Sequence, residues 1–425
     1  MISSYTGRKN IIEIFGIIII SFLPIVILLG SGILNLSIII LDLIFLIEIY
    51  RKKKIIYLKN NFFYSLIFIW FLLIFNCFIT SIDTLASIPR TIGFFRFILF
   101  IFALKYFFEL QNNLYQNKIF QFWSFTFIII SLDLIYEYII GHNILGFKAE
   151  LPGRLVGFME DEMKIGHLYS AFILVTLVSI ENFLRKITSL NNSEFLKNSI
   201  FYFFVIFFLI TSFLIGERAN FVRTFIILSI FILFYKKNFK TQISIFIISV
   251  IFFFYVVSES ERFKYRYWTT FLKPIILQPS KGLFQAPYGD HYRVALKILD
   301  NHKIFGVGLR NYVKESKKDK YSKDISIHPH QVYANSSVHP HQVHFEFLSE
   351  LGLLGYLSFF IFFIYSIFVG IKLFLLKNNF YQLSGMLFIF ISLMPFIPSG
   401  SFFNTYGAAL FWINFSFLLK NYKFN

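Results

Sequence analysis

Blocks of about twenty consecutive apolar residues recur along this chain, each long enough to carry a helix through a hydrocarbon core of about 30 Å. In lipid no water meets the backbone N–H and C=O groups, so a segment of this kind must close its hydrogen bonds within itself, as a helix does. The blocks are continuous rather than alternating, which excludes a membrane β-barrel. Only 15% of the residues are charged while 57% are hydrophobic, so a soluble fold is excluded too. The expected class is an all-α polytopic membrane protein with about 12 transmembrane helices.

The spans are expected near 11–29, 33–50, 62–81, 91–108, 119–140, 166–184, 198–215, 219–235, 241–257, 344–371, 382–399 and 402–419. Pro395 and Pro398 interrupt the last pair and are expected to kink or end a helix near the surface. Three regions follow: helices 1–9 over 1–257, one large loop over 258–342, and helices 10–12 over 343–425. Arg8 and Lys9 precede the first apolar run without a small-residue cleavage site, so that run is expected to be a retained span. The single cysteine, Cys77, sits inside an apolar block and reads as a small core residue.

Basic residues set the expected orientation. Arg51–Asn60, Lys105–Lys118, Arg185–Lys197, Lys236–Lys240, Lys372–Lys377 and the tail with Lys420 and Lys423 all fall on one side, which the positive-inside rule assigns to the cytoplasm. Both termini are then cytoplasmic, and the large loop faces outward with the connections at 82–90, 141–165 and 216–218. Long translocated segments obey the charge rule weakly, and the basic excess of this loop would attract anions such as phosphates. The net charge of +17 mixes cytoplasmic anchors with these outward charges, and no aromatic–basic repeat or zinc-finger spacing points to nucleic acid.

The outward segments carry arginines beside glycines: Arg154 in Pro152-Gly153-Arg154-Leu155-Val156-Gly157, Arg218 in Gly216-Glu217-Arg218-Ala219-Asn220, and Arg293 in Asp290-His291-Tyr292-Arg293, which leads to Gly306-Val307-Gly308. An arginine near the hydrocarbon core costs about 2.5–3.5 kcal/mol on insertion scales, so Arg218 at the rim needs a partner or a function. The bland alternative is an interfacial side chain paired with Glu217, and for Arg293 a plain surface charge. Inside the bundle, Arg96 is expected to pair with Asp133 or Glu137. The stretch 310–338, rich in Lys, Ser and Asp, is expected to be mobile.

The loop ends on a repeat: His328-Pro329-His330-Gln331-Val332 recurs as His339-Pro340-His341-Gln342-Val343, and His344 follows. Such a cluster invites a metal reading. An extended His-Pro-His, however, is expected to turn its two rings to opposite sides, and no cysteine or acidic ligand is spaced with it, so a local duplication is the simpler origin and no metal is expected. Only the second copy leads into a helix, with His341, His344 and Leu348 expected on one face. There His341 has the chemistry of a general base.

His341-Gln342 followed nine residues on by Gly352-Leu353-Leu354-Gly355-Tyr356 resembles the signature of the bacterial O-antigen ligase family, and the resemblance extends to the related O-antigen polymerases. It covers most of the chain: the span layout, the large loop before the last three spans, and the arginines ahead of it. The resemblance implies a metal-independent glycosyltransferase with a GT-C-like helical fold and no cofactor. The implied donor is a glycan on undecaprenyl pyrophosphate, and the implied acceptor is a sugar hydroxyl of lipid A-core, met at the periplasmic face of the bacterial inner membrane. His341 matches the family's catalytic histidine, Arg218 and Arg293 its outward arginines, and Arg154 a recurrent segment after the fifth span. The first His-Pro-His copy departs from the pattern, and only His341, not His330, has the glycines at the matching distance. Polymerisation of repeat units on the same carrier and transfer to a protein Ser or Thr share this chemistry. A transporter or flippase is the alternative of a different class, for which Asp42, Arg96, Asp133 and Glu137 would be the membrane-embedded charges.

Overall fold

The computed structural model describes residues 11–109, 113–160, 164–187, 193–235, 239–273, 288–322, 338–395, 397–419 and 422. A helix stands at each of the twelve expected positions: α1 (Ile11–Leu28), α2 (Ser31–Arg51), α3 (Asn61–Phe75, continued by a π turn over Asn76–Thr80), α4 (Thr84–Glu109), α5 (Asn113–Ile140), α6 (Ile165–Lys186), α7 (Glu194–Leu214), α8 (Arg218–Tyr235), α9 (Phe239–Glu259) and, after the shorter helix α10 (Gly289–Asn301) of the large loop, α11 (Val343–Lys377), α12 (Phe380–Ser392) and α13 (Thr405–Leu418). Among the described residues nine helices are long and apolar enough to cross a membrane: α1 to α8 and α11. The last two are shorter than expected. At 13 and 14 residues, and about 1.5 Å per residue, α12 and α13 fall short of a full crossing. Pro395 and Pro398 stand in the connection between them, residues 393–404.

The inner helices are α4 and α6, enclosed on most sides; α1, α3 and α11 turn broad apolar faces outward. Polar side chains inside the bundle close short-range bonds: Trp123 donates to the Ile20 carbonyl (3.0 Å), Gln382 to Leu418 (2.9 Å) and Asn414 to Ala171 (3.2 Å). Cys77 is buried and free. The expected Arg96 pairing is not formed. Arg96 donates to the Gly93 carbonyl (2.9 Å) and to Thr405 Oγ1 (3.3 Å), and the carboxylate within its electrostatic reach is Asp42. Asp133 and Glu137 are occupied elsewhere, because their oxygens accept the backbone N–H groups of Ile144 and of Val156 and Gly157.

The two ends of the bundle differ in chemistry. At the lysine-rich end, Lys105 Nζ caps the end of α13 through the carbonyls of Leu419 (3.0 Å) and Tyr422 (2.9 Å). The large loop sits at the other end. There α10 and two short turns at Tyr312–Glu315 and Asp319–Ser322 enclose a second small core of Val294, Ala295, Ile298, Val307, Tyr312 and Tyr321. Residues 310–322 are therefore built structure rather than the mobile stretch expected, because Tyr312 and Tyr321 have an apolar core to enter; residues 323–337 lie outside the described residues.

That small domain is docked by backbone. Gly308 donates to the Glu350 carbonyl (2.8 Å), Val307 to Ser349 (3.1 Å), and Leu353 and Leu354 to Lys303 (2.8 Å) and Ile304 (3.0 Å). The contact runs through a break in α11 at Gly352 (φ 66°, ψ −168°). A Cβ at Gly352 would stand 2.5 Å from the Gly306 nitrogen, and one at Gly306 would stand 2.5 Å from the Gly352 nitrogen. The two glycine motifs are halves of one junction.

Candidate active site

At the loop-bearing end, the turn between α7 and α8 carries Arg218. Gly216 (φ 74°) is required there, since a Cβ would fall 1.9 Å from the Gly153 carbonyl oxygen. The Gly153–Leu155 segment lies against the turn, and Leu155 N–H donates to the Ile215 carbonyl (3.1 Å). Glu217 does not pair with Arg218. Its buried carboxylate accepts the Gly166 N–H (3.1 Å) and an Asn220 amide hydrogen, and pairs with Arg154 Nη2 at 3.3 Å. Arg218 instead reaches across to the π-helical turn at Lys264–Leu272, where its Nη1 donates to the Arg266 carbonyl (3.4 Å); Arg266 Nε in turn donates to the Gly216 carbonyl. Arg154, Arg218 and Arg266 thus stand within mutual electrostatic reach. Burial, and then the neighbouring Arg154 and Arg218, pull Arg266 down to about 10, which still leaves it cationic at neutral pH.

Next to these cations is a cluster of rings. Tyr288 is within electrostatic reach of Arg218 and packs on His341, with ring centroids 4.9 Å apart. His291 and His339 complete the surround at 5.2 and 4.3 Å from the His341 ring, so the two rings of His-Pro-His share one side rather than the opposite sides expected of an extended stretch, because His341 leaves extended geometry (φ 57°). His341 lies just ahead of α11 rather than on its face, with its backbone in the left-handed region (φ 57°). The expected shared face with His344 and Leu348 is therefore lost for His341; His344 turns away to the Leu393 carbonyl (Nε2 to O, 2.8 Å). Burial holds His341 down at about 4, His291 at about 4 and His339 at about 2, with neighbouring imidazoles adding to the last two. All three rings are neutral at physiological pH.

Of the residues singled out in the sequence, His341, Arg218 and Arg154 come together at this end of the bundle. Arg293 stands on α10 two residues beyond His291 and pairs with Asp290 of its own helix. No contact joins it to Arg154 or Arg218 among the described residues. His330 lies outside the described residues. The sequence alone does not single out Arg266, Tyr288 or His291. Nothing in Glu261-Arg262-Phe263-Lys264-Tyr265-Arg266 separates one basic residue from the next, whereas His291 lies inside the arginine motif Asp290-His291-Tyr292-Arg293. Among the described residues, no group of three or more His, Cys, Asp or Glu side chains is arranged to hold a metal ion.

The fold and site define a helical membrane protein that presents clustered guanidinium groups and a neutral, buried imidazole at one end of its bundle. A family model described as O-Antigen ligase matches residues 203–360, from within α7 into α11, and takes in Arg218, Arg266, Arg293, His341 and Gly352–Tyr356. Over these residues the chain is similar to the O-antigen ligase family, and that similarity supports a membrane enzyme of the O-antigen ligase and polymerase type. No curated protein matches the chain.

Proposed function

We propose that the protein transfers a glycan from undecaprenyl pyrophosphate to a sugar hydroxyl of lipid A-core, on a GT-C-like scaffold at the periplasmic face of the bacterial inner membrane. The observation that carries this reading is the adjacency of Arg218, Tyr288 and His341, which puts anion-binding and proton-accepting groups side by side. Arg154, Arg218 and Arg266 would hold the pyrophosphate through charge-assisted hydrogen bonds, with Arg293 joining from α10. The acceptor oxygen attacks the anomeric carbon, and its proton passes to a ring nitrogen of His341. The bond from that carbon to the pyrophosphate oxygen breaks, and the electron pair leaves with undecaprenyl pyrophosphate. The guanidinium groups stabilise the charge that develops on the leaving group, and in this scheme they supply the positive charge that a metal would otherwise bring.

An apolar cavity of about 270 Å³ between α7, α8 and α9 supports the lipid part of the reading. It is lined by Phe213, Phe221, Phe225 and Phe253, and the Phe213 ring packs 4.8 Å from Tyr267, the neighbour of Arg266. A pyrophosphate on the arginines would have its first isoprene units beside this opening.

The test is deletion of the gene in its own host and gel separation of the lipopolysaccharide. The expected result is intact core, loss of long glycan, and polymeric glycan accumulating on undecaprenyl pyrophosphate. Core carrying a single repeat unit would replace the ligase reading with the polymerase. An unchanged ladder would overturn both as its non-redundant role in that host and leave protein glycosylation or transport.

A further inference from the structure

The connection between α12 and α13 is sequence that cannot continue a helix: Pro398 has no N–H to donate, Gly400 weakens helix propensity, and Asn404 accepts the Gly407 N–H and so caps α13. Released from helix, residues 397–402 lie across the histidine pocket as a strap, and each end of it is tied. Pro398 gives its carbonyl to Arg223 Nη2 of α8 (3.1 Å). Ser399 N–H donates to the His341 carbonyl at 2.7 Å. Ser401 Oγ donates to Glu346 Oε1 (2.5 Å) while accepting from Arg90 Nη1 (3.3 Å), and Phe402 N–H donates to Glu346 Oε2 (2.8 Å).

His341 needs such restraint. A residue with a side chain seldom takes the left-handed conformation, and one that does persists because its surroundings over-determine it. Both backbone polar groups of His341 are engaged, the N–H by His339 Nδ1 (3.0 Å) and the C=O by the strap. Glu346 is buried in the first turns of α11, five residues after His341, with both its carboxylate oxygens spent on the strap.

We propose that Glu346 is a positioning residue for His341, acting through the 398–402 strap: its carboxylate fixes Ser401 and Phe402, the strap fixes the His341 carbonyl, and the imidazole is thereby held against Tyr288 and His291. The kinetic side of this inference rests on His341 being the base of the proposed transfer; the structural side does not. The full-length protein in lipid nanodiscs is compared with its Glu346→Ala, Glu346→Gln and Ser401→Ala variants. Two quantities are measured: carbethoxylation of His341 by diethyl pyrocarbonate, read by peptide mass spectrometry against His302, and the kinetics of glycan transfer.

In Glu346→Ala the His341 rate rises several-fold and kcat falls by up to about 100-fold, the cost of a misplaced reacting group, while the donor KM moves less than about twofold because donor binding is untouched. Glu346→Gln recovers most of both, since its amide oxygen can accept from Phe402 and its NH2 can donate to Ser401 Oγ. Ser401→Ala, which removes one tie and carries the test if Glu346→Ala fails to accumulate, shows a smaller change in the same direction. Unchanged His341 reactivity in Glu346→Ala and Ser401→Ala would overturn the inference. So would a Glu346→Gln protein as impaired as Glu346→Ala, since the carboxylate charge rather than the strap would then matter. A fully active His341→Ala protein would overturn the base assignment and leave the reactivity result standing.

Discussion

At the scale of single residues, the decisive feature is a histidine whose proton affinity has been lowered by burial. His341 sits at about 4 rather than near 6.5, so between those values it is neutral in the folded protein and protonated in the unfolded chain. Two consequences follow. Acidification below 6.5 destabilises the fold through His341, His291 and His339 together, because the unfolded state then binds more protons. If His341 is the base of the proposed transfer, the acid limb of kcat/KM, which reports the free enzyme, should lie near pH 4, and the limb of kcat should lie higher, because the pyrophosphate of the proposed donor would add negative charge beside the imidazole and raise its proton affinity. Initial rates against pH with a purified lipid-linked donor would measure both. Coincident limbs near 6.5 would mean that the titrating base is not this buried ring.

Arg266 belongs to the same scale. Removing one charge-assisted hydrogen bond costs about 1.5–3 kcal/mol, so Arg266→Ala should lower kcat/KM by roughly 10- to 100-fold. Arg266→Lys should recover only part of the loss, because an ammonium keeps the charge without the planar fork. An Arg266→Ala protein with wild-type kcat/KM would remove it from the proposed donor site. The placement of His341 and Arg218 at the loop-bearing end was legible in the sequence, from the neighbouring glycines and the short turn. The placement of Arg266 was not, because it comes from a π-helical turn that brings the residue to Gly216, fifty positions away in the chain.

At the scale of elements, periodicity found the helices and missed their interruptions. A hydropathy pattern averages over a turn and cannot register one residue that leaves helical geometry. Gly352 does so inside α11, and it does so because the 303–308 segment must approach its backbone. The glycines were read as part of a signature, and the structure gives them a mechanical meaning: they let two backbones meet. The same limit explains the ends of α12 and α13, where the apolar count continued past Ser392 but the prolines did not permit a helix. Gly352→Ala should therefore be severely destabilising. The methyl group would lie 2.5 Å from the Gly306 nitrogen and the Ile304 carbonyl, neither of which is a flexible side chain. The positive-φ, extended backbone at Gly352, a region open essentially to glycine alone, adds a cost of about 1–3 kcal/mol. Thermal unfolding of the detergent-solubilised variant should show the small loop domain melting first, and limited proteolysis should cut it within 289–322. A variant with an unchanged melting profile would mean that the junction can shift to admit a side chain.

At the scale of the whole molecule, the lysine clusters and the large loop occupy opposite ends of the bundle, as contacts at each end demonstrate: Lys105 with the carbonyls of Leu419 and Tyr422 at one, Asp83 with Lys314 (2.8 Å) at the other. The geometry separates the ends but does not by itself say which faces the cytoplasm. That assignment rests on the positive-inside rule, which acts during insertion and favours keeping short Lys- and Arg-rich connections on the cytoplasmic side. It matters because a lipid-linked glycan on the far side of the bundle would never meet His341. In a Cys77→Ser background, Asn301→Cys, exposed beside the small loop domain, should react with a membrane-impermeant maleimide on intact spheroplasts. Lys53→Cys, in the exposed turn after α2, should react only after the membrane is opened. The reverse pattern would put the arginine cluster in the cytoplasm. The proposed transfer would then have to draw its donor and its acceptor from that side.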